Sequence, residues 1–147
     1  MMLLLIAAAV QAATPAKTVP GDTTKAPATL GPIGKQAMPA RGCAAYLWST
    51  GDRALVAMAT ADSARLRLVV DGKPVDYARV DEAGPGGYGF AGVTTYRGGD
   101  LTVALDMTIV TREDLASGAM VPNATLRLER PGRDTIVLPV AGMIGCV

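Results

Sequence analysis

From Leu101 to Thr111 apolar and polar positions alternate. Leu101, Val103, Leu105, Met107 and Ile109 interleave with Thr102, Ala104, Asp106, Thr108 and Val110. A period of two puts the odd-numbered side chains on one face of a strand and predicts that this face is buried. Arg65–Val70 and Lys73–Val80 flank Asp71-Gly72, which tolerates the positive φ angles of a type I′ turn, so these runs predict a hairpin. A two-residue loop sets the register: Val70 opposite Lys73, Leu68 opposite Val75, Leu66 opposite Tyr77. On the other face Arg67 then meets Asp76.

Short apolar segments separated by turn signals fill the rest of the region. Ala44–Trp48 and Leu55–Ala59 are joined across Ser49-Thr50-Gly51-Asp52. Asp81 to Gly87 reads as a glycine-rich loop, Tyr88–Tyr96 as a strand, and Gly98-Gly99-Asp100 as a turn. Glu113 to Gly118 fits one helical turn ended by Gly118. Thr125–Arg130 and Asp134–Val147 form a last hairpin. A two-residue loop there would set Leu128 against Val137. A three-residue loop pairs Leu128 with Ile136 and Leu126 with Leu138, keeps the apolar residues on one face, and is the register expected. Pro139 then points outward, at an edge or a bulge.

About eight short strands in roughly 105 residues predict an all-β fold. The architecture expected is a small antiparallel β-sandwich, with a closed small β-barrel as the alternative.

Upstream the pattern breaks. Pro15, Pro20, Pro27, Pro32 and Pro39 punctuate a stretch rich in Thr, Ala, Gly and Lys, which predicts a disordered tether over 13–40. Leu3–Val10 is an apolar run too short for the about 20 residues of a bilayer span, and it suits a signal-peptide core. Val10-Gln11-Ala12 matches a small-x-small cleavage pattern, so residues 1–12 read as a signal peptide, although no Lys or Arg precedes the run. The folded domain is then 41–147, exported to the periplasm or beyond. Cys43 and Cys146 are the only cysteines and bracket it. Export and their places at matched strand ends predict a disulfide. Cys43 shares its parity with Ala45 and Leu47, and Cys146 with Val140 and Ile144, so both thiols are expected to face the interior.

Composition narrows the function. The formal charge of +1 gives no nucleic-acid footprint, and the absence of histidine removes imidazole catalysis and His-ligated zinc. No cofactor or metal is implied. Asp76, Asp81, Glu82, Asp100, Asp106, Glu113 and Asp114 leave carboxylate chemistry open, without a spacing that pairs two across a cleft. All six aromatic residues lie between Tyr46 and Tyr96. Tyr46 and Trp48 fall on the face opposite Cys43, Ala45 and Leu47, and form the candidate binding patch. The function expected is an exported, non-catalytic binding or scaffolding module. Its expected partner is an envelope protein or polysaccharide, with no stable membrane insertion after signal removal. The alternative is a small carboxylate-dependent hydrolase acting on envelope polysaccharide.

Overall fold

The computed structural model describes residues 28–147; the expected signal peptide and the first half of the expected tether lie outside them. Nine strands follow in order: β1 (Leu30–Gly31), β2 (Cys43–Ser49), β3 (Leu55–Thr60), β4 (Arg65–Val70), β5 (Lys73–Ala83), β6 (Val93–Gly98), β7 (Leu101–Val110), β8 (Gly118–Glu129) and β9 (Ile136–Cys146). Strands β2 to β9 form an antiparallel meander in which each strand pairs with the next, and β9 returns to pair with β2. The chain therefore takes the second of the two all-β architectures it admits: a closed eight-stranded barrel, with β1 as an extra strand. Closure leaves β2 and β9 with partners on both sides, which removes sheet edges that would otherwise template association.

The hairpin of β4 and β5 has the expected register throughout, including Leu66 opposite Tyr77 and Arg67 opposite Asp76. Asp71 and Gly72 both have positive φ, as a type I′ turn requires. In β7 the odd-numbered residues Leu101, Val103, Leu105 and Met107 are buried, and Asp106 and Thr108 are exposed. The last hairpin takes the three-residue register, with Leu126 opposite Leu138 and Leu128 opposite Ile136. Pro139 lies one residue past the end of the β2–β9 ladder, where its missing N–H breaks no pair, and its carbonyl accepts from the Thr50 N–H.

Four expectations need correction. The strand expected over Tyr88–Tyr96 begins only at Val93, because Tyr88 and Gly89 take left-handed φ angles and a local Gly87–Phe90 bridge turns the chain. Asp81 and Glu82 are not in a loop: β5 continues through them after a bulge between Arg79 and Asp81. Residues Glu113 to Ser117 form turns rather than a helical turn, and β8 begins at Gly118, upstream of the expected Thr125. Pro122 and Asn123 occupy a bulge between Val121 and Ala124.

The fourth correction concerns the tether. From Ala28 onward it is laid against the barrel: Ala28 is buried in the core, and β1 pairs Leu30 and Gly31 with Val70 and Val69. The Ile33 N–H donates to the Leu55 carbonyl. Proline excludes a helix here, yet an extended backbone is what a strand neighbour needs. Strand β1 takes up the end of β4 that β3, whose pairing stops at Arg67, leaves open.

Eight strands make a narrow interior, and here side chains fill it. Leu47, Leu66, Leu68, Tyr77, Tyr96, Leu101, Val103, Leu105, Leu126 and Leu128 form one continuous buried cluster. Both ends are closed. At one end the Cys43–Cys146 disulfide joins directly opposed residues of β2 and β9. The loop between β5 and β6 covers the same end: Phe90 is buried in the core, and the Tyr88 hydroxyl lies 3.4 Å from Thr111 Oγ1. At the other end the Asp71-Gly72 turn is tied to the far side of the barrel. Arg130, after β8, donates to Asp71 Oδ2 at 3.0 Å, and its Nε lies 3.0 Å from Asp100 Oδ1. The Thr29 N–H also donates to Asp71, so one carboxylate joins the N-terminal segment, a hairpin tip and the β8–β9 loop. These bonds, Thr29 first and then Arg130, hold the Asp71 carboxyl below the ordinary aspartate range.

Candidate functional site

Strands β3, β2 and β9 are neighbours and contain no charged residue: LVAMAT, CAAYLWS and IVLPVAGMIGC. Elsewhere the outer surface carries ions, among them Arg65, Arg67 and Asp76 on β4 and β5 and Arg127 and Glu129 on β8. The uncharged wall follows from alternation. In β2 the inward positions are Cys43, Ala45 and Leu47, so Ala44, Tyr46 and Trp48 point out. In β9 Val140 and Ile144 point in, so Val137, Pro139, Ala141 and Met143 point out.

Register then places these outward residues in rows. Tyr46 lies opposite Met58 on β3 and Met143 on β9; Met143 lies opposite Met120 on β8, and Met120 opposite Val110 on β7. Trp48 stands between Leu55 and Ala141. Its ring lies over Gly142, where an added Cβ would sit 3.1 Å from Trp48 Cε3 and overlap the Tyr46 carbonyl oxygen. Trp48 is 37% exposed, Met143 44% and Val137 58%. These are large apolar groups left in water, on a wall without a charge to solvate it.

The N-terminal segment borders this wall. Met38 approaches the position a Cβ on Gly145 would take, and the Tyr46 hydroxyl donates to the Ala37 carbonyl at 3.2 Å. Met58 and Ala44 point outward, yet both are buried. Partial burial of Tyr46 raises its phenol pKa above the ordinary value.

Of the candidate patch, then, Trp48 is exposed and Tyr46 is half-buried, on adjoining rows of the same wall. The other aromatics go elsewhere. Tyr77, Phe90 and Tyr96 are core residues, and Tyr88 packs against the core. Burial pushes the Tyr96 hydroxyl up to about 12. The methionines were missed, although a signal was present. A Cys43–Cys146 bridge sets β9 antiparallel to β2, and counting inward from the bridge puts Met143 beside Tyr46.

The acids that left carboxylate chemistry open are spread around the surface. Asp76 receives both Nε and Nη2 of Arg67, at 2.8 and 3.0 Å, and the first cause of its lowered pKa is that bond. Glu82 pairs with Arg79, Asp114 with Arg112 and Asp100 with Arg130. Among the described residues no group of three metal-ligating side chains occurs.

Fold and site together define a closed, side-chain-filled antiparallel β-barrel with one uncharged aromatic and methionine-rich wall. Comparison with protein-family models, with curated proteins and with solved structures finds no match.

Proposed function

We propose that the protein is an exported, non-catalytic binding module that docks a protein of the cell envelope on the outer wall of β3, β2 and β9. The observation that carries this reading is the run of outward Trp48, Met143 and Val137 on neighbouring strands that hold no charge. Aromatic and methionine side chains on a charge-free patch are the composition of interface centres, and methionine adapts to an irregular apolar partner. A polysaccharide needs hydrogen-bonding groups around its stacking aromatics. The outward side chains of β9 (Val137, Pro139, Ala141, Met143) supply none, which favours a protein. The apolar leader Leu3–Val10 and the Cys43–Cys146 disulfide support export. Among the described residues no helix is long and apolar enough to cross a membrane.

The test is site-specific photo-crosslinking in the producing cells. A benzophenone side chain in place of Met143 or Val137 should give a discrete protein adduct, and one in place of Arg97 on the charged wall should not. No adduct from the first two positions, or equal adducts from all three, would contradict the reading.

A further inference from the structure

A groove runs along the outside of β3 and β4, between them and the N-terminal segment, and adjoins the β3 side of the uncharged wall. Its middle is a depression of about 100 Å³ formed by Met58, Thr60, Ser63, Arg65, Arg67 and Asp76. Toward the disulfide end it continues, past Thr60 and Ser63, into a space of about 290 Å³ beside Pro39, Ala40 and Arg41. The other way, past Arg67 and Asp76, it continues into about 370 Å³ beside Ile33, Gln36 and Pro74. Shared lining residues make the three depressions one run.

The cations along it are not equivalent. Arg67 is fully engaged: two nitrogens bind Asp76, and Nη1 donates to Gln36 Oε1 at 2.8 Å, which pins the N-terminal segment to the barrel. Arg41 faces Asp62 at 3.7 Å. Arg65 lines the middle depression; among the described residues its guanidinium makes neither a hydrogen bond nor an ion pair within 4.0 Å, although Asp76, held by Arg67, is near enough to interact with its charge. Beside it the Thr60 and Ser63 hydroxyls bond each other, and Thr60 Oγ1 also reaches the Arg65 carbonyl at 3.4 Å. Two hydroxyl protons serve that pair. One is used between the oxygens, and the other is left for the carbonyl or for a ligand. The floor is the methionine side chain of Met58, which is buried.

The far wall has unused hydrogen-bonding capacity of its own. From Lys35 to Pro39 the chain belongs to no helix, strand or turn, and among the described residues none of its N–H groups donates to a backbone carbonyl. An extended peptide laid beside such a segment can pair with its backbone, as in strand addition. An acidic side chain on that peptide would meet the five donors of Arg65, in the fork geometry that suits a carboxylate.

We propose that this groove is a second binding site, and that it takes an extended acidic peptide, with one carboxylate on Arg65 and the peptide backbone along residues 35–39. The site shares Met58 and the N-terminal segment with the margin of the uncharged wall, and Arg65, which lies outside that wall on β4, tells the two apart.

The test uses the folded, disulfide-bonded protein and the blocked pentapeptide Ala-Ala-Glu-Ala-Ala, followed by backbone amide chemical shifts. Shifts are expected at residues 35–39 and 60–67, with binding about tenfold weaker for Arg65→Gln and for the peptide carrying Gln in place of Glu. Arg65→Lys should recover part of the affinity, which separates charge recognition from a folding defect. The proposal is overturned by millimolar peptide that moves no amide in either segment, or by equal binding to Arg65→Gln. Shifts with tetragalacturonate but not with the peptide would likewise overturn the assignment of a peptide as the occupant.

Discussion

The disulfide offers the most quantitative test of the fold. It closes a loop with a sequence separation of 103 residues, across the one seam where the first and last strands of the meander meet. In the chain-entropy description, a loop of that length removes about 16 cal/mol/K from the unfolded ensemble, or about 4.7 kcal/mol at 25 °C. The seam does not depend on the bridge alone. Strands β2 and β9 are paired at seven positions from Cys43–Cys146 to Ser49–Val140, and Leu47, Val140 and Ile144 bury their side chains on its inner side. The double substitution of Cys43 and Cys146 by Ser should therefore give a barrel that still closes but is about 3–5 kcal/mol less stable. Against a typical total of about 5–15 kcal/mol this is a large share, yet it need not unfold the protein. Urea unfolding monitored by far-UV circular dichroism measures the change. The slope should rise as well, since an unbridged chain expands further on unfolding. A loss under about 1 kcal/mol would refute the reasoning, because the unfolded chain would then already hold its ends together. Loss of all native signal at zero denaturant would show that the ladder itself cannot close the barrel.

Three further predictions follow from particular side chains. Leu105→Ala empties a fully buried site in β7 and should cost about 2–5 kcal/mol, while Asp106→Ala on the outer face should stay within about 0.5 kcal/mol; similar values for the two would refute the alternation. Tyr96 has its pKa raised from 10.0 to about 12 by burial, so its contribution is complete below about pH 10 and is lost as pH rises toward 12. The loss should reach about 2–3 kcal/mol in denaturant titrations, and Tyr96→Phe should remove that alkaline slope. Asp71 has the opposite sign: its carboxyl pKa is lowered by Thr29 and Arg130, so its contribution is present at neutral pH and fades as pH falls through and below the ordinary aspartate range. Asp71→Asn should weaken the protein at pH 7 and flatten its acid dependence, and an unchanged acid limb would remove Asp71 from the account.

The parts of this fold that were legible are those governed by near neighbours. Asp71-Gly72 specifies a turn, the turn specifies a register, and the register brings Arg67 to Asp76. The same holds for Leu126 and Leu138, where only one loop length keeps the apolar set together. Closure is different in kind. A period of two says which face of a strand is buried, and the same alternation serves a sandwich and a barrel. What decides between them is that β9 pairs with β2 while every other neighbour among β2 to β9 is sequential, and no local pattern encodes that. The proline-punctuated segment before Cys43 misled for a physical reason. Proline forbids a helix and a central ladder position, but it is compatible with a bulge, as at Pro122, and with an extended segment laid beside a strand end, as after Ala28. At the site, Trp48 was legible from parity alone. Met143 follows from counting inward from the Cys43–Cys146 bridge, whereas Met58 reaches Tyr46 only through the β2–β3 pairing.

The uncharged wall of β3, β2 and β9 is the proposed binding face. Its most direct test is a titration of the protein captured by crosslinking at Met143 into the purified barrel, followed by the emission of Trp48, the only tryptophan in the chain. A blue shift is expected on binding, with affinity reduced by about 2 kcal/mol or more, roughly 30-fold, in Trp48→Ala. Met143→Lys should weaken binding as well, Arg97→Ala should leave it unchanged, and all three variants should keep the native circular dichroism. Unshifted Trp48 emission at saturation, with unchanged affinity for Trp48→Ala and Met143→Lys, would contradict it.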